Sequence, residues 1–294
     1  MFRKFLPISR FRPKSKMNLK NFKLQQRHKY LLEALFIVVS LFAFSYANGG
    51  WKIASFILTV LVAILGSIWV QFTSVTTPPE KFKKFFSDTV LQVITLPATL
   101  TVGALLALIY FPNLGIPTKT LAILGIGFFM YVALLVGNIL LVVYEKDEVI
   151  PLYRVAATWS QILVVVVSIP LYAGIFKLPI LPFFQCALVG FSAVIFALYL
   201  TWSQEMDPEI PPINRGEQFV TSLFVGFLVG SLGLSISFLP TESFLRALLL
   251  SSVLMFSLGY IQAHYKNVVT KKLIFEYSLI SILFLIFVLI FNQV

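Results

Sequence analysis

Three acidic side chains fall within four positions in the segment YEKDEVIPLYR, residues 144–154, and its flanks are mostly apolar. Glu145, Asp147 and Glu148 supply carboxylates that can bind a cation or a basic partner, and Arg154 closes the segment. The Asp, Asn and Gly pattern of a calcium-binding loop is missing. A solvated turn between two membrane helices needs no ligand, and the sequence favours that simpler interpretation.

A second polar loop, residues 203–217, resembles this segment. Asp-Glu-Val-Ile-Pro at 147–151 precedes Arg154, and Asp-Pro-Glu-Ile-Pro at 207–211 precedes Arg215, an offset of 60 residues between the two motifs. The offset suits a duplicated helical hairpin, as in some transporters, but a chance likeness or shared loop mechanics is favoured. The candidate inner-face cluster comprises Glu145, Asp147, Glu148, Arg154, Glu205 and Arg215.

Uncharged polar side chains inside apolar segments form the second candidate site. Asn138, Gln161 and Gln185 either line a path for a substrate or hydrogen-bond neighbouring helices together. Structural hydrogen bonding is the more frequent role of such groups in membrane helices.

The composition predicts which elements carry these residues. The chain has 294 residues, of which 59% are hydrophobic and 12% charged, and its mean hydropathy is +0.91. A membrane-crossing helix needs about 20 mostly apolar residues. We therefore predict an all-α, polytopic transmembrane helical bundle with spans near residues 31–48, 52–72, 90–111, 120–143, 155–176, 181–202, 218–239, 244–265 and 273–292.

The distribution of basic residues predicts the topology. Ten of the 23 Lys and Arg residues lie in the first 29 positions. With the N-terminus in the cytoplasm, the inner segments hold 19 basic residues and the outer segments four, as the positive-inside rule requires. We expect a basic cytoplasmic tail at 1–29 that contacts anionic lipid head groups, and a single membrane domain at 30–294. Because the positive charge precedes an apolar helix, nucleic acid is not an expected partner.

Small residues at helical spacing predict where helices pack closely. Gly226, Gly230, Gly233 and Ser237 share one face of the seventh span, so a neighbouring backbone can approach there. A second small-residue face in the sixth span comprises Ala187, Gly190, Ala193 and Ala197. Pro97 and Pro170 should kink the third and fifth spans.

Signatures of known membrane enzymes and cofactor sites are missing. The chain has one cysteine and two histidines, and no zinc helix, phosphate loop or nucleophile elbow. No cofactor and no metal are therefore expected. Glu242 and Arg246, one turn apart, are expected to pair, while Glu33 and Glu276 lie near predicted cytoplasmic ends.

Residues 134–172 resemble part of an uncharacterised group of multi-pass membrane proteins from candidate-phylum (patescibacterial) bacteria. In that group an apolar span precedes a loop ending in Ile-Pro-Leu-x-Arg, which Ile150, Pro151, Leu152 and Arg154 match. The acidic run before them departs from the group's pattern. The resemblance implies the bacterial cytoplasmic membrane and no particular chemistry.

Three hypotheses for function follow. The first is a non-enzymatic scaffold or assembly partner that contacts another membrane protein. The second is a transporter or flippase of an apolar or lipid-like substrate, and the third is a membrane-embedded lipid-modifying enzyme. A solid bundle with an exposed apolar groove would favour the first.

Overall fold

The computed structural model describes residues 19–73, 79–111, 115–146, 152–207, 209–211 and 213–291. Within these ranges the chain forms nine α-helices and no strand, which confirms the predicted all-α fold. The helices are α1 (Leu19–Tyr46), α2 (Gly50–Phe72), α3 (Pro79–Tyr110), α4 (Ile116–Lys146), α5 (Leu152–Ile175), α6 (Pro182–Gln204), α7 (Arg215–Ser237), α8 (Ser243–Tyr265) and α9 (Lys271–Ile290).

Each of these helices contains an apolar stretch long enough to cross a bilayer. The hydropathy pattern therefore located all nine spans. The helices α3 and α4 have 32 and 31 residues, which at about 1.5 Å per residue exceeds the roughly 30 Å of a hydrocarbon core. The turns of α3 and α4 that extend beyond the predicted spans carry the charged residues that flank those spans.

Local sequence signals explain several helix ends. Proline stands at the start of α6, where its missing N–H costs no hydrogen bond. The Asn214 side chain accepts a hydrogen bond from Gly216 N and caps α7, and Thr270 caps α9 by accepting from Leu273 N. Gly49 adopts a φ of 58° between α1 and α2, a conformation that glycine reaches without strain.

Contacts between helix ends show that the chain runs up and down. Lys29, near the start of α1, donates to Thr73 after α2, and Phe85 of α3 packs on Tyr144 of α4. We call this the basic end, because nine of the 13 Lys and Arg residues after position 29 lie in or near its α2–α3, α4–α5, α6–α7 and α8–α9 connections. At the opposite end, Phe44 of α1 packs on Phe56 of α2.

The centre of the bundle is α5, which packs against α3, α4, α6 and α8. Leu163, Val164 and Val167 are fully buried there. Pro97 and Pro170 lie inside continuous helices. A Cβ at Gly103 would lie 3.0 Å from the backbone nitrogen of Leu171, so α3 and α5 approach closely between the two prolines.

Other helices lie at the edge of the bundle. All residues of α9 are described, and Val288 is the one that is buried. After Glu276 the helix is mostly apolar, and α9 packs along α8. Such a surface is stable in lipid and not in water, which agrees with a membrane-embedded position.

The helices α6 and α7 make the closest contact between neighbours. A Cβ added at Gly226 would lie 2.7 Å from the carbonyl oxygen of Gly190, and one added at Gly190 would lie 2.9 Å from the carbonyl oxygen of Gly226. Gly233 faces Leu250 and Cys186 instead. The absence of side chains at Gly190 and Gly226 therefore sets the distance between the two helices.

Candidate functional site: a polar cleft at the basic end

A polar cleft of about 250 Å³ opens at the basic end of the bundle. Three elements form it: the first turn of α5, the end of α6 with the following loop, and the end of α8. We call it the basic-end cleft, and its lining residues are Tyr153, Arg154, Ala157, Thr158, Gln204, Asp207, Glu209, Gln262 and Lys266.

Two cations and two carboxylates face each other in the cleft. Lys266 Nζ lies 2.7 Å from Asp207 Oδ2 and 4.0 Å from Glu209 Oε2. Arg154 Nη2 lies 2.9 Å from Glu209 Oε1. The Asp207 and Lys266 side chains are 10% and 26% exposed, whereas those of Arg154 and Glu209 are 75% and 58% exposed. The inner pair is thus shielded from water and the outer pair is solvated.

Backbone hydrogen bonds hold the acidic loop in place. The Asp207 N–H donates to Gln204 O at 2.9 Å, and the Ile210 N–H donates to Asp207 O at 3.0 Å. The Asp207 side chain also accepts from the Glu209 N–H at 3.1 Å. Ile210 is buried and anchors the loop. Asp207 is therefore fixed by the fold and does not depend on Lys266 for its position.

The floor of the cleft contains a buried amide. Gln204 is 2% exposed. Neither its side-chain nitrogen nor its oxygen has a hydrogen-bond partner among the described residues. The neighbouring hydroxyl of Tyr153 donates to Ser203 O at 2.7 Å, which ties α5 to α6 and leaves the Gln204 amide unmatched.

The residues of the predicted inner-face cluster lie in different parts of the structure. Arg154 lies in the cleft, while Glu145 lies at the end of α4. Asp147 and Glu148 fall outside the described residues.

Glu205 and Arg215 of that cluster lie at the junction of α6 and α7. Glu205 accepts a hydrogen bond from Gln218 of α7. Burial raises the pKa of Glu205, and the Gln218 hydrogen bond and the nearby charge of Arg215 oppose that rise.

Sequence reasoning did not select Asp207, Glu209, Gln204 or Lys266 as site residues. The 207–211 motif resembles residues 147–151, and Lys266 is one of the 19 basic residues of the predicted inner segments. The motif was the available signal. That motif does not reveal that Arg154, beside the first loop, contacts Glu209 in the second.

The predicted polar path residues lie at different depths. Gln185 lies near the start of α6, at the end opposite the cleft, and donates to Leu178 O at 2.8 Å. Asn138 and Gln161 are half-buried in the halves of α4 and α5 nearer the basic end. The amide of Gln185 thus fixes the α5–α6 connection, and the existence of a path stays a prediction.

Three charged residues near the span ends have different surroundings. Glu33 is 5% exposed and packs against Gly66 of α2. Glu276 is solvated, 3.8 Å from Lys272. Arg246 donates to Leu239 O at 2.7 Å and to Thr241 Oγ1 at 3.1 Å, so the predicted pairing with Glu242 is wrong. Glu242 is the N-cap of α8 and has an extended backbone, so its side chain does not share the helix face of Arg246.

Within the described part of the chain, no group of three or more His, Cys, Asp or Glu side chains is placed to hold a metal ion. The side chains of the cleft offer charge recognition and hydrogen bonding.

The helices and the cleft define a polytopic α-helical membrane protein with one polar site at the basic end. The chain belongs to the family described as protein of unknown function DUF5656, whose family model matches residues 31–291. No curated protein and no solved structure matches the chain. The expected membership of an uncharacterised family is thus confirmed, and the bacterial group stays a prediction.

Proposed function

We propose that the protein is a non-enzymatic scaffold or assembly partner in the bacterial cytoplasmic membrane. The observation that carries the proposal is the scarcity of buried charge in the described spans, whose interior is mostly apolar. Ser168 of α5 donates to its own helix and bonds Ser251 of α8 at 2.8 Å. Among the described residues, Glu33 is the one buried charged side chain within a span.

An apolar groove on the lipid-facing side offers a place for a partner. It follows the seam of α6 and α7 and has a volume of about 380 Å³. Gly190, Gly226 and Gly230 form its floor, and Phe191 and Phe227 stand at its rim, 64% and 73% exposed. An apolar groove with an aromatic rim suits one transmembrane helix of another protein, whose side chains can pack between Phe191 and Phe227.

Photo-crosslinking from the groove tests the proposal. A photoreactive amino acid replaces Phe191 or Phe227 in the full chain, and the control replaces Leu61 on the exposed face of α2. We expect one discrete protein adduct from both groove positions in native membranes and only lipid adducts from the control. Lipid adducts alone from all three positions would contradict a scaffold role for this groove, and an adduct of twice the chain mass would identify a second copy as the partner.

A lipid-handling function is the second candidate, and a different feature supports it. A wholly apolar crevice of about 380 Å³ lies between α3, α5 and α6. Ala98 and Leu171, each next to a helix proline, are among its lining residues. An acyl chain fits such a crevice, and movement at the two prolines would admit it.

Lipid scrambling separates the two functions. The full chain is reconstituted into vesicles that carry a fluorescent lipid in both leaflets, and a membrane-impermeant reductant quenches the outer leaflet. A scaffold leaves the quenched fraction equal to that of protein-free vesicles, at about half. Quenching well beyond that fraction would favour the lipid carrier and overturn the proposed scaffold.

A further inference from the structure

The amide of Gln204 is a buried polar group without a hydrogen-bond partner among the described residues, and Gln204 lines the basic-end cleft. An amide that is 2% exposed and has neither donor nor acceptor satisfied is costly in a folded protein. Because Gln204 lines the cleft, a ligand that displaces the side chains covering its amide can satisfy it. The amide offers one acceptor and two donors, so the complementary ligand carries a donor and an acceptor close together.

The charges in the cleft are balanced. Arg154 and Lys266 face Asp207 and Glu209, so the net charge of the four groups is zero. A purely anionic ligand would gain from the cations and lose to the carboxylates by similar amounts. A zwitterion, with one ammonium and one phosphate, finds an opposite charge for each of its ends.

The helix termini around the cleft also favour an anion on one side and a cation on the other. The helix α5 begins at Leu152, and its N-terminus favours an anion. The helices α6 and α8 end at Gln204 and Tyr265, and their C-termini favour a cation. The phosphate is therefore placed beside Arg154 and the ammonium beside Asp207, on opposite sides of the Gln204 amide.

The depth of the cleft matches the position of lipid head groups. Leu152 begins the span of α5 and Gln204 ends the span of α6, so the cleft lies where the apolar segments meet water. From this point an exposed apolar stripe runs along α5 into the membrane. Its residues Val155, Trp159 and Ile162 are 52%, 40% and 45% exposed and share one helix face.

We propose that the basic-end cleft binds the phosphoethanolamine head group of a membrane lipid, whose acyl chains lie along Val155, Trp159 and Ile162. The Gln204 amide bridges the ammonium and the phosphate, Asp207 and Glu209 accept from the ammonium, and Arg154 turns from Glu209 to the phosphate. This site is independent of the proposed scaffold function, because neither the α6–α7 groove nor a protein partner is involved.

Native mass spectrometry of the full chain in detergent tests the proposal. The probes are phosphatidylethanolamine, phosphatidylglycerol with the same acyl chains, and free phosphoethanolamine. We expect one tightly retained phosphatidylethanolamine, with phosphatidylglycerol about tenfold weaker, as for the loss of one hydrogen bond to a charged group. Equal binding of the two lipids would overturn the zwitterion assignment. Binding of free phosphoethanolamine at the same concentration as the lipid would overturn the assignment to a lipid.

A matched pair of variants separates binding from folding. Gln204→Leu removes the unmatched amide, so its melting temperature without lipid should equal or exceed that of the wild type, while retention of phosphatidylethanolamine is lost. Gln185→Leu removes another amide of α6, one that donates to Leu178 O in the α5–α6 connection. It should melt earlier and still retain the lipid. Wild-type lipid retention by Gln204→Leu would overturn the proposal.

Asp207→Asn gives a second, independent readout. Asparagine keeps the oxygen that accepts from the Glu209 N–H, so the loop fold is preserved while the cleft gains one net positive charge. We expect the lipid preference to reverse in favour of phosphatidylglycerol. An unchanged preference would show that Asp207 does not meet the ammonium and would contradict the proposed orientation.

Discussion

Two ion pairs share the cleft, yet their surroundings differ enough to separate their contributions to stability. Lys266 and Asp207 are largely shielded, whereas Arg154 and Glu209 extend into solvent. Breaking a shielded pair leaves a carboxylate without compensation. Solvated pairs contribute little, because water and salt screen them. The inner pair is thus the structural one, and the outer pair is free to exchange partners.

Neutralising each cation should therefore have different consequences. We expect Lys266→Gln to lower the free energy of unfolding by about 1–3 kcal/mol, below the range for fully buried pairs because Lys266 keeps some exposure. Arg154→Gln, the control, should cost less than about 1 kcal/mol. Chemical unfolding in mixed micelles measures both values, and an equal loss in the two variants would contradict the distinction.

At the scale of elements, glycine contacts fix the spacing of α6 and α7, and those helices carry the acidic loop of the cleft between them. The Gly190 and Gly226 backbones are in direct contact. Since the α6–α7 loop joins the ends of both helices, a change in their spacing would also move Asp207 relative to Lys266. The packing of one helix pair thus supports the geometry of the polar site.

A single added methyl group tests this contact. In Gly226→Ala the new Cβ would lie 2.7 Å from Gly190 O, and we expect a loss of about 1–3 kcal/mol from overpacking. Gly125→Ala is the matched control, since nothing lies within 4 Å of its Cβ position in α4. It should gain up to about 1 kcal/mol through helix propensity. Thermal unfolding in micelles gives both values, and an undiminished stability of Gly226→Ala would show that the helix pair adjusts freely.

At the scale of the whole molecule, the helices form one bundle with lysines and arginines concentrated at one end. The loops at the basic end and the helix ends beside them carry nine of the 13 basic residues that follow the N-terminal tail. The positive-inside rule predicts that this end faces the cytoplasm. The cleft would then face the inner leaflet, and the α5–α6 connection would face the other side.

Cysteine labelling tests this orientation. The native Cys186 is buried, so Cys186→Ala provides a background without a reactive thiol. Val268→Cys at the basic end should react with an impermeant maleimide only after the cells are permeabilised. Pro179→Cys in the α5–α6 connection should react in intact cells; both positions are exposed. The reverse pattern would invert the topology and place the cleft on the outer face.

The sequence alone determined the helical class, all nine spans and the expected orientation. These properties depend on local hydropathy and on charge near the span ends, and both can be read directly from the sequence. Even so, the expected pairing of Glu242 with Arg246 was wrong, because a spacing of one helical turn does not reveal a competing loop carbonyl such as Leu239 O.

Only the tertiary structure decided which polar residues meet. Lys266 lies next to Asp207, and Arg154 next to Glu209, because α5, α6 and α8 end side by side. Helices in lipid choose neighbours through the fit of small side chains and backbones such as those at Gly190 and Gly226. That fit involves two distant segments at once, so no pattern within one segment could reveal the cleft or the unmatched amide of Gln204.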